Sequence, residues 1–286
     1  MTYQIKECNT PPRFQLITDD QALLDVCEQA RTQSAVALDT EFVRVRTLHP
    51  KLGLIQLYAG DEVALIDPTT IQDFSPFIAL LADESVLKVL HACGEDLEVF
   101  QHYFQQLPQP MCDTQVMANF LGFAGSAGFA TLVQHYFHIE IDKGASRTDW
   151  LARPLSEIQL RYAAADVWYL LPLYVQMQTQ LAQTEWQSAV KNECEFLLHK
   201  RAHAVKNPDT AYFAIPNAWK LNSLELMRLK LLAKWRMEEA MKRDLALNFV
   251  VRAENLWQVA KYNPKNTSTL LELGLSTAEV RIHGKK

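Results

Sequence analysis

The chain has 286 residues, 49% apolar and 21% charged, with a net charge of −5; that is enough apolar material for two domains, and the acidic balance argues against a protein that coats nucleic acid non-specifically. The opening residues MTYQIKECNTPPRF carry no apolar run, and no stretch reaches the ~20 apolar residues of a membrane helix, so neither a signal peptide nor a membrane partner is expected. Five cysteines (Cys8, Cys27, Cys93, Cys112 and Cys194) lack CxxC spacing, which argues against a disulfide framework or zinc ribbon and fits a reducing cytoplasm.

Residues 21–33 show helical spacing, with Leu23, Leu24, Val26 and Cys27 on one face. SAVALDTEF then reads as a buried strand up to Asp39. LGLIQLYAG (52–60) and EVALIDP (62–68) form a hairpin about Gly60-Asp61. A helix at 75–82, a strand SVLKVLHA (85–92) and a helix GEDLEVFQHYF (94–104) follow. Beyond Pro108 and Pro110, MCDTQVMANFLGF is a short strand running into a helix, AGSAG is a loop, and 129–139 is helical. Residues 155–182 read as one long helix, capped by Ser156 with Gln159 at capping-box spacing and kinked by Pro172. Alternating strands and helices with an early hairpin predict an α/β domain with a mixed sheet over 1–206. NPDTAYFAIPNA (207–218) reads as a linker. Residues 219–286 predict a small all-α domain, with a long helix at 220–243 and shorter pieces at 253–261, at 267–273 and from 276. Its 13 Lys and Arg against 7 Asp and Glu give a net +6, while 1–218 carries −11. An acidic body with a basic appendage is one way to handle a polyanion; the plainer alternative is a mixed-charge helical surface.

Three segments carry chemistry. Asp39-Thr40-Glu41 ends a buried strand, where residues i and i+2 project to the same side. Asp96 falls in the first turn of the helix after SVLKVLHA, where a helix N-terminus also favours a carboxylate. Tyr162 and Asp166, at i and i+4, share a helix face across three slim alanines. Each has an ordinary reading: solvated strand-end acids, a dipole partner, a Tyr–Asp hydrogen bond. Together, four carboxylates from three segments match the oxygen ligands that hard cations such as Mg²⁺ or Mn²⁺ require. Two such ions about 3.5–4 Å apart can clamp both oxygens of a phosphoryl displacement.

ALDTEF, HACGEDLEVF and YAAADVWYL resemble the three motifs of the DEDD exonuclease superfamily, tyrosine subclass. LGLIQL, DTQVMANFLG and SRTDWLARPL, in that order, resemble the ribonuclease D family, and KLLAKWRMEEAMKRDLALNFVV resembles the HRDC domain. The resemblance covers the chain from about residue 14 onward. It implies a ribonuclease H-like fold followed by an HRDC domain. It also implies a 3′→5′ exoribonuclease acting on RNA, tRNA precursors and other structured 3′ ends among its substrates, with no obligate protein partner. Asp39, Glu41, Asp96 and Asp166 would hold two divalent ions: Asp39 between them, Glu41 and Asp166 on the ion carrying the attacking water, Asp96 on the other. Tyr162 would orient that water; with an ordinary pKa near 10 it suits positioning better than proton abstraction. Family members usually carry a second HRDC-like domain. This chain stops at VRIHGKK, where the last helix of the first would begin.

Weaker substrate-binding candidates are Phe42, which could stack on a terminal base, and Lys143, Arg147 and Arg153 around Trp150, placed to track a phosphate backbone. Arg44 and Arg46 are further candidates of the same kind. His135 and His138 lack further zinc ligands, and Gly122, Gly125 and Gly128 match no phosphate-binding loop. Two other functions compete: a proofreading-type DNA exonuclease with the same carboxylates, separated only by recognition of the 2′-OH, and a non-catalytic RNA-binding protein, which would lack an acid.

Overall fold

The computed structural model describes residues 10–142, 144–145, 147–204 and 206–285; Cys8 and Lys143 lie outside them. The chain divides into two compact units. One holds the chain up to Val43 with Lys51–His203, the other Arg44–Pro50 with everything from Ala204 on.

The first unit is built on β1 (Phe14–Ile17), β2 (Ala35–Val43), β3 (Lys51–Tyr58), β4 (Val63–Ile66), β5 (Leu87–Leu90) and β6 (Met111–Asp113), in the spatial order β1-β4-β3-β2-β5-β6. The hairpin makes β3 antiparallel to both β2 and β4; the other pairs are parallel. This is the mixed sheet expected from the sequence. Among the described residues eight helices accompany it: α1 (Asp20–Arg31), α2 (Ser75–Ala82), α3 (Gly94–Phe104), α4 (Thr114–Phe120), α5 (Phe129–Phe137), α6 (Glu157–Trp168), α7 (Leu170–Leu181) and α8 (Gln187–Ala202). Asp19 caps α1 by accepting from the Ala22 N–H, and the Ser156–Gln159 capping box starts α6. α6 packs on β2, β3 and β4, and α7 on β2 and β5.

The expected helix over 155–182 is two helices. Tyr169 closes α6 and opens α7. Proline at 172 cannot donate to the Trp168 carbonyl and crowds it, so the regular helix is interrupted at Tyr169, which keeps a right-handed helical φ of −85° and ψ of −18° as the chain turns into α7. Lys88 is fully buried in β5, its ammonium donating to the carbonyls of Asp83, Val86 and Gln109 at 2.7, 2.8 and 2.7 Å. It ties the strand to the loops on either side.

The second unit contains two 3-10 segments, Pro208–Ala214 and Ala218–Lys220, then α9 (Ser223–Arg243), α10 (Leu247–Val250), α11 (Ala253–Tyr262), α12 (Thr267–Glu272) and α13 (Thr277–His283). Its core gathers Leu229, Ala233, Ala240, Val250, Leu256 and Ala260. The stretch read as a linker folds here: Ile215 is buried in this core, Asp209 pairs with Lys234 at 2.8 Å, and the Trp257 indole N–H donates to the Asn217 carbonyl. Upstream residues join it too. The Ala246 N–H donates to the Arg46 carbonyl at 2.8 Å, and the His49 N–H to the Asp244 carboxylate at 3.1 Å.

Candidate active site

β2 delivers the first two acids. It pairs with β5 only over Ala35–Ala37, so from Asp39 onward that flank lies past the end of β5. Asp39 and Glu41 share one face of the strand, opposite to buried Leu38 and Thr40. Their cross-strand neighbours on β3 are Gln56 and Leu54. α6, in which Ala163 and Ala164 are fully buried, packs on β2 and brings the third acid. One carboxylate oxygen from each of Asp39, Glu41 and Asp166 lies within 4.8 Å of the others. Tyr162 lies one helical turn before Asp166 on the same helix face, and its hydroxyl is close enough to pull the Asp166 pKa down.

Asp96 arrives from α3. It is 6% exposed, and the Thr40 hydroxyl donates to its carboxylate. The turn before α3 needs help, because Ala92 takes a left-handed φ of 53°. Asp113, at the end of β6, supplies it: its two carboxylate oxygens accept the N–H groups of Ala92 and Cys93, each at 3.0 Å, and one also caps α4 through Gln115. The expected four acids and Tyr162 thus converge, while Thr40 and Asp113, which fasten Asp96, went unrecognised in the sequence. The signal for Asp113 was its place in DTQ, where an Asp caps the next helix.

The cluster is electrostatically loaded. Loss of hydration and the neighbouring Asp166 hold the Asp39 carboxyl well above the usual carboxylate range. Desolvation, then Asp39, Asp166 and Asp96, push Glu41 up to about 10. Desolvation and Asp39 raise Asp96; desolvation raises Asp166 to about 7 against the pull of the Tyr162 hydroxyl. Desolvation and the same acids push the Tyr162 phenol up, so it stays protonated at neutral pH. Like charges this close favour a cation between them. The donor set is all oxygen, as hard divalent ions take. Gln56, the cross-strand partner of Asp39, is fully buried with neither amide atom hydrogen-bonded. The residues fit a divalent metal.

The secondary candidates divide. Phe42 is half-buried against the core, and Arg147 is exposed. Two readings need correction. Trp150 is 1% exposed, and its ring lies 6.1 Å from that of Tyr162, so it supports the tyrosine from beneath and presents no face to a base. Arg153 does not track phosphates: its guanidinium pairs with Asp67 through two 2.7 Å bonds and donates to the carbonyls of Gly53 and Trp150 at 2.7 and 2.9 Å. Gly53 is the extra residue of a bulge opposite Glu41 and Phe42. A Cβ there would lie 2.6 Å from the Trp150 carbonyl oxygen, so only glycine lets that segment come so close.

Residues 14–182 match the family model of a 3′-5′ exonuclease, and residues 225–286 that of an HRDC domain. The fold and acidic site thus define a 3′-5′ exonuclease domain followed by an HRDC domain. The chain is 60% identical over 284 residues to a ribonuclease D of Haemophilus influenzae, covering 99% of this chain and 71% of that protein. It superposes on the crystal structure of Escherichia coli RNase D, described as an exoribonuclease involved in structured RNA processing, with a TM-score of 0.91, 51% identity and coverage of 96% and 72%. Brucella melitensis NrnC with bound Mg²⁺ is similar at a TM-score of 0.58 and 26% identity, over 67% of this chain and 92% of that one. The chain belongs to the ribonuclease D family and is a 3′-5′ exoribonuclease hydrolase. No helix among the described residues is long and apolar enough to cross a membrane.

Proposed function

We propose that the protein removes nucleotides one at a time from the 3′ ends of RNA, tRNA precursors and other structured RNAs among them, with two divalent cations, Mg²⁺ or Mn²⁺, held by Asp39, Glu41, Asp96 and Asp166. The observation that carries this reading is the convergence of three carboxylates within 4.8 Å, with Asp96 close enough to raise Glu41 and Tyr162 one helical turn before Asp166. The Mg²⁺ bound to the similar Brucella melitensis NrnC adds support. Bound ions would supply an acidified water and neutralise charge on the phosphate and the departing oxygen. In the hydrolysis a water oxygen bonds to phosphorus and the P–O3′ bond breaks. The preceding nucleotide leaves with a protonated 3′-oxygen, and the released one keeps its 5′-phosphate. Tyr162, held protonated, positions the water through its hydroxyl and does not remove the proton. Thr40 and Asp113 hold Asp96 at the cleft, and Trp150 backs the tyrosine. The second unit, with its net +6 over 219–286, adds affinity for the RNA backbone. A cytoplasmic setting suits this substrate and the buried thiols of Cys27, Cys93, Cys112 and Cys194.

The test is digestion of 5′-labelled single-stranded RNA and DNA with Mg²⁺, with Mn²⁺ and with a chelator. A ladder shortening from the 3′ end, faster on RNA and abolished by chelation, is expected. Internal cuts, or turnover that survives complete metal removal, would sink the reading.

A further inference from the structure

Within the second unit lies a cavity of about 620 Å³ that the acidic site does not use. Three arginines line it, from three separate segments: Arg46 follows β2, Arg243 ends α9, and Arg252 precedes α11. Asn248, Asn255 and Phe249 share the wall, with one carboxylate, Glu279, and the imidazole of His283. That carboxylate accepts the N–H groups of Ser276 and Arg252, at 2.6 and 3.4 Å. The acids paired with Arg243 and Arg252, Glu239 and Glu254, stand off at 3.9 and 4.0 Å. Arg46 is fixed by the bond from the Ala246 N–H to its carbonyl, and its guanidinium lies over the Phe249 ring at 5.2 Å. Phe249 is 49% exposed, so part of its surface is open to a ligand.

The chemistry of the wall selects its ligand. Arginine forks match phosphate oxygens two at a time. Three of them on separate segments, with Glu279 in the wall and Glu239 and Glu254 held only at 3.9 and 4.0 Å, suit a chain of phosphates better than a single anion. An aromatic face accepts a base of any identity, and amide side chains can bond to sugar hydroxyls or base edges. The volume falls in the usual range of small-ligand sites.

We propose that the cavity is a second, non-catalytic nucleotide site, which holds the sugar–phosphate backbone of single-stranded RNA through Arg46, Arg243 and Arg252 and seats a base beside Phe249. The inference rests on the RNA-degrading function above and deepens it. The test uses the 286-residue chain carrying Asp39→Asn, so that RNA is bound without being cut. Binding of a labelled single strand of about 12 nucleotides is followed by fluorescence anisotropy between about 50 and 200 mM salt. Arg243→Gln with Arg252→Gln should weaken binding about tenfold or more at low salt and flatten the log–log salt slope by about 1.4, two phosphate contacts' worth. Phe249→Ala should weaken binding about fivefold or more and leave the slope unchanged. Thermal melts check folding, and Arg252→Gln alone, at an exposed position, keeps the test decisive if the double variant fails to fold. Parental affinity and slope in all folded variants would overturn the proposal. So would saturable binding of uridine 5′-monophosphate at these arginines with RNA binding indifferent to them, which would mark a site for free nucleotides. If the wild-type chain still produces the 3′ ladder, only this inference fails; if it does not, the functional reading itself fails.

Discussion

Replacing Arg153 by methionine removes the bridge that holds the Trp150 segment against the sheet. Arg153 makes two 2.7 Å bonds to Asp67, which is 4% exposed, and supplies donors to the carbonyls of Gly53 and Trp150. Removing one partner of an enclosed ion pair costs about 3–5 kcal/mol. Asp67 keeps two bonds from Thr69, at 2.9 and 2.7 Å, which moderates the loss, so about 3 kcal/mol is expected. At about 2–4 °C per kcal/mol for a unit of this size, the melting temperature should fall by about 6–12 °C. Calorimetry of the full chain reads this directly. A double variant with Asp67→Leu should recover part of the loss, because the orphaned carboxylate goes with the arginine. The pair also sets an acid limit. Burial alone would raise the Asp67 carboxyl, but the bonds from Arg153 and Thr69 outweigh it and hold it below the usual range. A folded-state value below the unfolded one means the contribution is complete above about pH 4 and fades as pH falls through the lowered value. The wild type should therefore lose stability on acidification more steeply than Arg153→Met. A variant melting within about 1 °C of the wild type, with the same acid profile, would refute this account.

Asp39→Asn should abolish hydrolysis while raising the melting temperature in the absence of metal, since one like charge leaves the cluster; Mg²⁺ or Mn²⁺ should then stabilise the wild type and not the variant, as paired melts and RNA assays would show. Asp113→Ala strips the acceptor from the Ala92 and Cys93 N–H groups and should lower turnover at temperatures where the variant remains folded, an effect that normal kcat in a folded sample would exclude. Lys88→Met leaves three enclosed carbonyls without their donor and should cost about 2–4 kcal/mol with activity retained in the folded fraction; an unchanged denaturation midpoint would contradict this.

Much of this architecture is written in local patterns. The Asp39/Glu41 pair is readable because a strand's period of two fixes their common face, and Tyr162/Asp166 because a helix turn does the same. β1 escaped notice: FQLI is a short edge strand, mostly open to solvent, with no alternation to betray it. α8 escaped because only Val190 and Cys194 along its sixteen residues are buried. Trp150 and Arg153 were misjudged for a different reason. A loop of Arg, Trp and Lys looks the same in sequence whether it faces a polyanion or folds inward, and the partner that turns Arg153 inward, Asp67, lies 86 residues away. Asp113 likewise reads as a helix cap, and its grip on the turn before Asp96 exists only once β5 and β6 pair.

The second unit is not one continuous length of chain, because Arg44–Pro50 belongs to it. During synthesis that short piece emerges long before α9–α11, and the bonds that Arg46 and His49 make with Ala246 and Asp244 close loops of about two hundred residues. The second unit therefore completes its own contacts only after the exonuclease segments have left the ribosome, which orders maturation from the sheet outward. For the same reason a fragment begun at residue 225, where the HRDC match starts, would lack part of its own wall. Transplanting the helical unit to another enzyme would require the β2–β3 connection to travel with it.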